Sequence, residues 1–183
     1  MNIPNRLTLL RVLMVPLFVA VFLMSTVSDW WALVLFVLAG ITDFLDGAIA
    51  RKKNLVTDFG KLMDPLADKL MLTAALVCFT YAGLVHPAVT IVVISRELLV
   101  TGLRTLAISK GKVIAADFWG KLKTVAQDVA IIVTLVWQSW PSGAFCRFCH
   151  AFSVVCVWAM LALTVISAIH YCIVNRDIFQ NTK

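Results

Sequence analysis

The stretch GITDFLDGAIAR, residues 40–51, follows an uncharged apolar run, Trp30 to Ala39, and places Asp43 and Asp46 three residues apart at its end. A carboxylate in hydrocarbon costs roughly 2.5–3.5 kcal/mol on insertion scales. A chain that carries two of them in such a segment must gain something in return.

The surrounding composition says what the solvent is. Of 183 residues, 61% are apolar and the mean hydropathy is +0.93, whereas soluble domains are about half apolar. The expected fold class is therefore an all-α integral membrane protein, a bundle of six transmembrane helices forming one domain over residues 1–183. The apolar run after Arg6 and Arg11 is not followed by a small-residue cleavage site, so no cleavable signal is expected. The net charge of +6 fits membrane topology and anionic ligands rather than nucleic acid.

Helices are predicted over 7–25, 30–51, 61–82, 87–109, 121–140 and 151–175, each about long enough to cross a core of roughly 30 Å. Positive charge gathers at alternate ends: Arg6 and Arg11; Arg51, Lys52, Lys53 and Lys61; Lys110, Lys112, Lys121 and Lys123; Arg176 and Lys183. The first and third breaks have no Lys or Arg, and the fifth has only Arg147. The positive-inside rule then puts both termini in the cytoplasm. Trp30, Trp31, Tyr81, Trp137 and Trp140 fall at the outer interface as an aromatic belt.

With this orientation the second helix runs inward and the third outward. At about 1.5 Å per residue, Asp46 lies roughly 8 Å and Asp43 roughly 12 Å from Arg51. Asp64 lies roughly 5 Å and Asp68 roughly 10 Å from Lys61 by the same rise. All four carboxylates share one depth near the cytoplasmic face, and each pair shares a helix face. Gly47 and Ala50, on the face of the first pair, allow close approach. Four uncompensated carboxylates would repel one another, and an all-oxygen set suits Mg²⁺, Mn²⁺ or Ca²⁺. The competing explanation is that these aspartates are buried polar groups of a helix bundle, or pair with Lys61 and Lys69.

The pattern from Asp43 to Asp68, DFLDGAIARKKNLVTDFGKLMDPLAD, resembles the CDP-alcohol phosphotransferase signature D-x2-D-G-x2-A-R-x8-G-x3-D-x3-D. Asp43, Asp46, Gly47, Ala50, Arg51, Gly60, Asp64 and Asp68 fill every fixed position. The resemblance implies transfer of a phosphatidyl group from CDP-diacylglycerol to an alcohol, with CMP leaving. It implies two divalent ions, Mg²⁺ or Mn²⁺, on Asp43, Asp46, Asp64 and Asp68, with Asp68 also the general base. It assigns Gly47, Ala50, Arg51 and Gly60 to the CDP site and suggests a homodimer.

Outside the signature, NIPNRLTLLR, SRELLVTGLR and GKLKT look like the members of that family that take glycerol 3-phosphate, in a bacterial inner membrane. An anionic acceptor suits the basic residues of the later helices. Arg104, Lys121 and Lys123, with Arg96 in addition, are expected to hold its phosphate. Pairing of Arg96 with Glu97 or Asp128, and headgroup contacts for the two lysines, are the alternatives. Asn5 and Arg11 are expected to border the nucleotide or acceptor entrance, with Thr8 assisting. The rival reading is an interfacial cap and a snorkelling arginine.

Two other readings are open. CRFCH, Cys146 to His150, matches a c-type haem attachment pattern, but five residues are a weak match with no other sign of a haem pocket, and a periplasmic disulfide or two free thiols is the favoured reading. A small divalent-cation transporter would account for four intramembrane acids, though not for Gly47, Arg51 and Gly60 at fixed offsets. Within the enzyme class, serine or inositol phosphate are the competing acceptors.

Overall fold

The computed structural model describes residues 3–24, 30–53, 58–109, 118–140 and 143–176, with 3–8, 44–53, 58–68 and 108–109 described as backbone alone. These residues form six α-helices: α1 (Ile3–Leu23), α2 (Trp30–Lys53), α3 (Asp58–Tyr81), α4 (Pro87–Ser109), α5 (Phe118–Ser139) and α6 (Ala144–Val174). No strand occurs among the described residues.

The expected helices are present, with shifted ends. The largest correction is at α6, expected from 151 and found from Ala144. Gly143, at φ 114°, takes the backbone turn, and nothing in Ala144–His150 breaks a helix, so CRFCH is helical. The helix α1 starts at Ile3 rather than at 7, because a proline in the first turn gives up only an N–H that would lack a partner anyway. Between α3 and α4, Gly83 at φ 72° closes a helix C-terminus: Leu84 N–H donates to Phe79 O at 2.8 Å and Gly83 N–H to Thr80 O at 3.1 Å. This paired geometry needs a left-handed residue after the helix, which glycine adopts without strain. Pro87 then opens α4, and His86 Nδ1 accepts from Ala88 N–H at 3.2 Å as its cap.

Packing forms two joined groups. Helices α1, α2 and α3 pack on one another, and α5 joins them to α6, which also holds α4. Phe18, Phe22, Phe36 and Phe79 interlock at ring-centroid separations of 5.8–6.3 Å in the first group. Ala32, Ala39, Ala75 and Ala130 are buried, and small side chains let helix backbones approach closely. The Trp30 ring lies 5.8 Å from Trp140, and Trp140 lies 4.9 Å from Phe145. The start of α2, the end of α5 and the start of α6 therefore meet at one end of the bundle.

Besides its apolar core, the bundle exposes many large apolar side chains and buries several polar ones. Leu13, Ile91, Leu98, Val155, Trp158 and Ile173 are exposed, while Arg11, Lys123, Gln127, Thr134, Ser153 and Thr164 are buried. Large exposed apolar surfaces are rare on soluble monomers. Buried hydroxyls are satisfied on their own helices: Thr134 donates to Ala130 O, Ser139 to Leu135 O and Thr164 to Met160 O, each at 2.7 Å. This is the arrangement a medium without water requires. Among the described residues, α6 is by length and composition long and apolar enough to cross a membrane. Shorter apolar stretches run Leu9–Leu23, Trp30–Asp43 and Lys69–Tyr81.

Candidate functional site

Helix α2 continues unbroken through positions 43, 46, 47, 50 and 51, and α3 through 60, 64 and 68. The helical repeat that puts 43 with 46 and 64 with 68 on common faces is therefore present in both backbones. The side chains of Asn5, Thr8, Asp46, Gly47, Ala50, Arg51, Gly60, Asp64 and Asp68 lie outside the described residues.

Asp43 is described, and its environment is informative. Its Oδ1 forms an ion pair with Nη1 of Arg11 on α1. The arginine side chain is almost wholly buried, whereas that of Asp43 is 47% exposed. The snorkelling alternative for Arg11 therefore fails: the guanidinium turns inward to a carboxylate, because only an anion offsets its burial among helices. Beside the pair opens a cavity of about 430 Å³ lined by Gly40, Met71, Leu72, Asp128 and Ile132 among others. Arg11 and Asp43 themselves line this cavity, so the carboxylate that leads the acidic pattern of α2 is open to it from one side.

The second polar centre lies where α3, α4, α5 and α6 converge, and Glu97 on α4 is its hub. Its Oε1 pairs with Lys123 Nζ of α5 and, at 3.3 Å, with Arg96 Nη1. Its Oε2 is 3.9 Å from Lys69 Nζ of α3. Lys69 also donates to Thr101 Oγ1 and, at 3.5 Å, to Glu97 O. Arg96 reaches on to Ser167 Oγ of α6, so Glu97 and Arg96 together tie four helices. Losing one partner of such a buried network typically costs 3–5 kcal/mol, because a charge is left uncompensated.

The four expected acceptor residues do not behave alike. Lys123 and Arg96 are brought together on Glu97, and the pairing of Arg96 with Glu97 is present as the alternative required. Arg104 and Lys121 are exposed. Lys69, which the sequence suggested only as a counter-ion for the aspartates, is the residue missed here. The buried face of α5 runs Lys123, Gln127, Ala130, Ile131, Thr134, Leu135. Lys121 and Lys123 are two residues apart, so they point to nearly opposite sides of the helix and cannot both lie on that face.

Cys146 and Cys149, like Cys78, Cys156 and Cys172, are free thiols. The ring of His150 packs on Trp137 with centroids 4.3 Å apart.

Comparison with known proteins adds an independent line. The family model for CDP-alcohol phosphatidyltransferase matches residues 1–175. The chain is 38% identical over 197 aligned positions to CDP-diacylglycerol–glycerol-3-phosphate 3-phosphatidyltransferase of Bacillus subtilis, covering all of this chain and 99% of that one. Proteins of the same name from Escherichia coli K12 and Rickettsia felis are 38% and 36% identical, covering 87% and 93% of this chain. They are covered over 91% and 93% of their own lengths.

Proposed function

The chain belongs to the CDP-alcohol phosphatidyltransferase family, and from that premise we propose that it transfers the phosphatidyl group of CDP-diacylglycerol to glycerol 3-phosphate. The products are phosphatidylglycerol phosphate and CMP. The observation that carries the reading is the complete aspartate signature, Asp43 to Asp68, in a chain similar along its whole length to proteins named for this reaction.

In this reading Asp43, Asp46, Asp64 and Asp68 hold two divalent ions, Mg²⁺ or Mn²⁺, which neutralise the diphosphate and the departing CMP when bound. Asp68 takes the proton of the attacking hydroxyl. The hydroxyl oxygen bonds to the phosphatidyl phosphorus as the bond from that phosphorus to CMP breaks. Arg51 grips a phosphate oxygen with a fork that lysine does not reproduce. Gly47, Ala50 and Gly60 leave room for CDP beside the helices, and Asn5 and Thr8 border its entrance. Arg11 holds Asp43 in place from α1. With a base and no paired nucleophile in the signature, attack is direct rather than through a phosphatidyl-enzyme.

The same reading makes the chain a six-span bundle with both termini in the cytoplasm and the site near the cytoplasmic face of a bacterial inner membrane. The donor's acyl chains then stay in lipid while a water-soluble acceptor enters from the cytosol. Two copies of the chain form the working assembly, as the family resemblance suggests.

Arg104, Lys121, Lys123 and Arg96 supply positive charge for the acceptor's phosphate. Arg104→Ala is expected to raise KM for glycerol 3-phosphate about tenfold or more, the scale of one charge-assisted hydrogen bond. An unchanged KM removes Arg104 from the pocket. The acceptor is tested by competition. Purified protein with CDP-diacylglycerol and equimolar labelled glycerol 3-phosphate, serine and inositol phosphate is expected to put label into phosphatidylglycerol phosphate alone. Label in another lipid would replace the acceptor.

A further inference from the structure

Three cationic side chains from three helices converge on Glu97: Lys69 of α3, Arg96 of α4 and Lys123 of α5. Like charges brought this close, one of them buried and the others partly buried, repel unless an anion stands between them. Glu97 is that anion. Its side chain is 13% exposed and that of Lys123 only 2%.

Polar capacity also remains at this centre. Nε of Arg96 has no hydrogen-bond partner, and neither does the amide of Gln127, one turn beyond Lys123 on the buried face of α5. Buried N–H groups without partners are costly, and native folds seldom keep them without a use. Gly120 stands beside Arg96, where an added Cβ would lie 3.9 Å from Nη2, so little bulk crowds the guanidinium from that side.

We propose that Glu97 is a positioning residue for the acceptor's phosphate group, acting through Lys123. This rests on the functional reading above and deepens it. Glu97 does not touch the phosphate. It holds the Lys123 ammonium in one orientation, so that the acceptor need not bear the entropic cost of ordering a long flexible side chain when it binds. Lys69 and Arg96 fix the carboxylate from its other sides, and Arg96 anchors the assembly to Ser167 of α6.

The test is a double-mutant cycle on the full-length protein in detergent micelles with CDP-diacylglycerol. Glu97→Gln is expected to raise KM for glycerol 3-phosphate about tenfold or more, with kcat and KM for CDP-diacylglycerol changed less than threefold. Lys123→Gln should raise the same KM, and the double variant should be no worse than Lys123→Gln alone, because coupled residues are not additive. Glu97→Asp, which keeps the charge but retracts it by one methylene, should give an intermediate KM. It also carries the test if Glu97→Gln does not fold. An unchanged KM in Glu97→Gln overturns the proposal, as does strict additivity in the cycle. So does a Glu97→Asp enzyme indistinguishable from wild type. Wild-type protein that releases no CMP with glycerol 3-phosphate would instead sink the functional reading, and this inference with it.

Discussion

Replacing Asp68 by Asn is expected to reduce turnover by about 10²–10⁴-fold, the usual contribution of a positioned general base. Binding of CDP-diacylglycerol should survive largely intact. The asymmetry follows from the division of labour among the four carboxylates. In the proposed site Asp43, Asp46 and Asp64 carry most of the ion binding, while Asp68, on the next turn of α3 after Asp64, receives the proton. Asn preserves the shape and one oxygen donor but accepts no proton at neutral pH. Single-turnover CMP release, with donor affinity measured separately on the same preparation, separates the two effects. Full turnover in the variant refutes Asp68 as the base. Equal loss of donor affinity and turnover makes it a ligand only.

Removing divalent ions should have an effect at least as large. A chelator is expected to abolish activity, and Mg²⁺ or Mn²⁺ to restore it. Hard divalent ions prefer carboxylate oxygen, and phosphoryl transfer depends heavily on neutralising the diphosphate. The Arg11–Asp43 ion pair sharpens this expectation. With ions stripped, Arg11 remains as a cation beside Asp43, so the bundle should stay folded and recover activity when ions return. Activity that persists through exhaustive chelation would exclude the two-ion reading.

The aspartate signature was legible because its information is local. Spacings of three and four residues determine a shared helix face whatever the rest of the chain does, and α2 is helical through positions 43 and 46 and α3 through 64 and 68. The inward turn of Arg11 was not legible in the same way. An arginine near a helix end looks alike whether it snorkels to a headgroup or pairs with a carboxylate on the next helix. Only the packing of α1 on α2 decides between them. The Glu97 hub was partly legible. Its contact with Arg96 is between chain neighbours, but Lys69 lies 28 residues away and the Arg96–Ser167 tie spans 71. Helical periodicity says which residues share a face and leaves open how each helix is rotated against the others. The start of α6 differs from the expected one for another reason. The break PSGAFCRFCH has no periodic apolar face to mark a helix start, whereas Gly143 takes a positive φ and the helix resumes directly at Ala144.

The central claim is that this chain joins a phosphatidyl group to glycerol 3-phosphate. The most direct measurement supplies purified protein with CDP-diacylglycerol, Mg²⁺ or Mn²⁺, and labelled glycerol 3-phosphate, and follows CMP and lipid-bound label together. The account predicts CMP release that depends on glycerol 3-phosphate, with one labelled phosphatidylglycerol phosphate formed for each CMP. No CMP release with glycerol 3-phosphate or any other alcohol would contradict it.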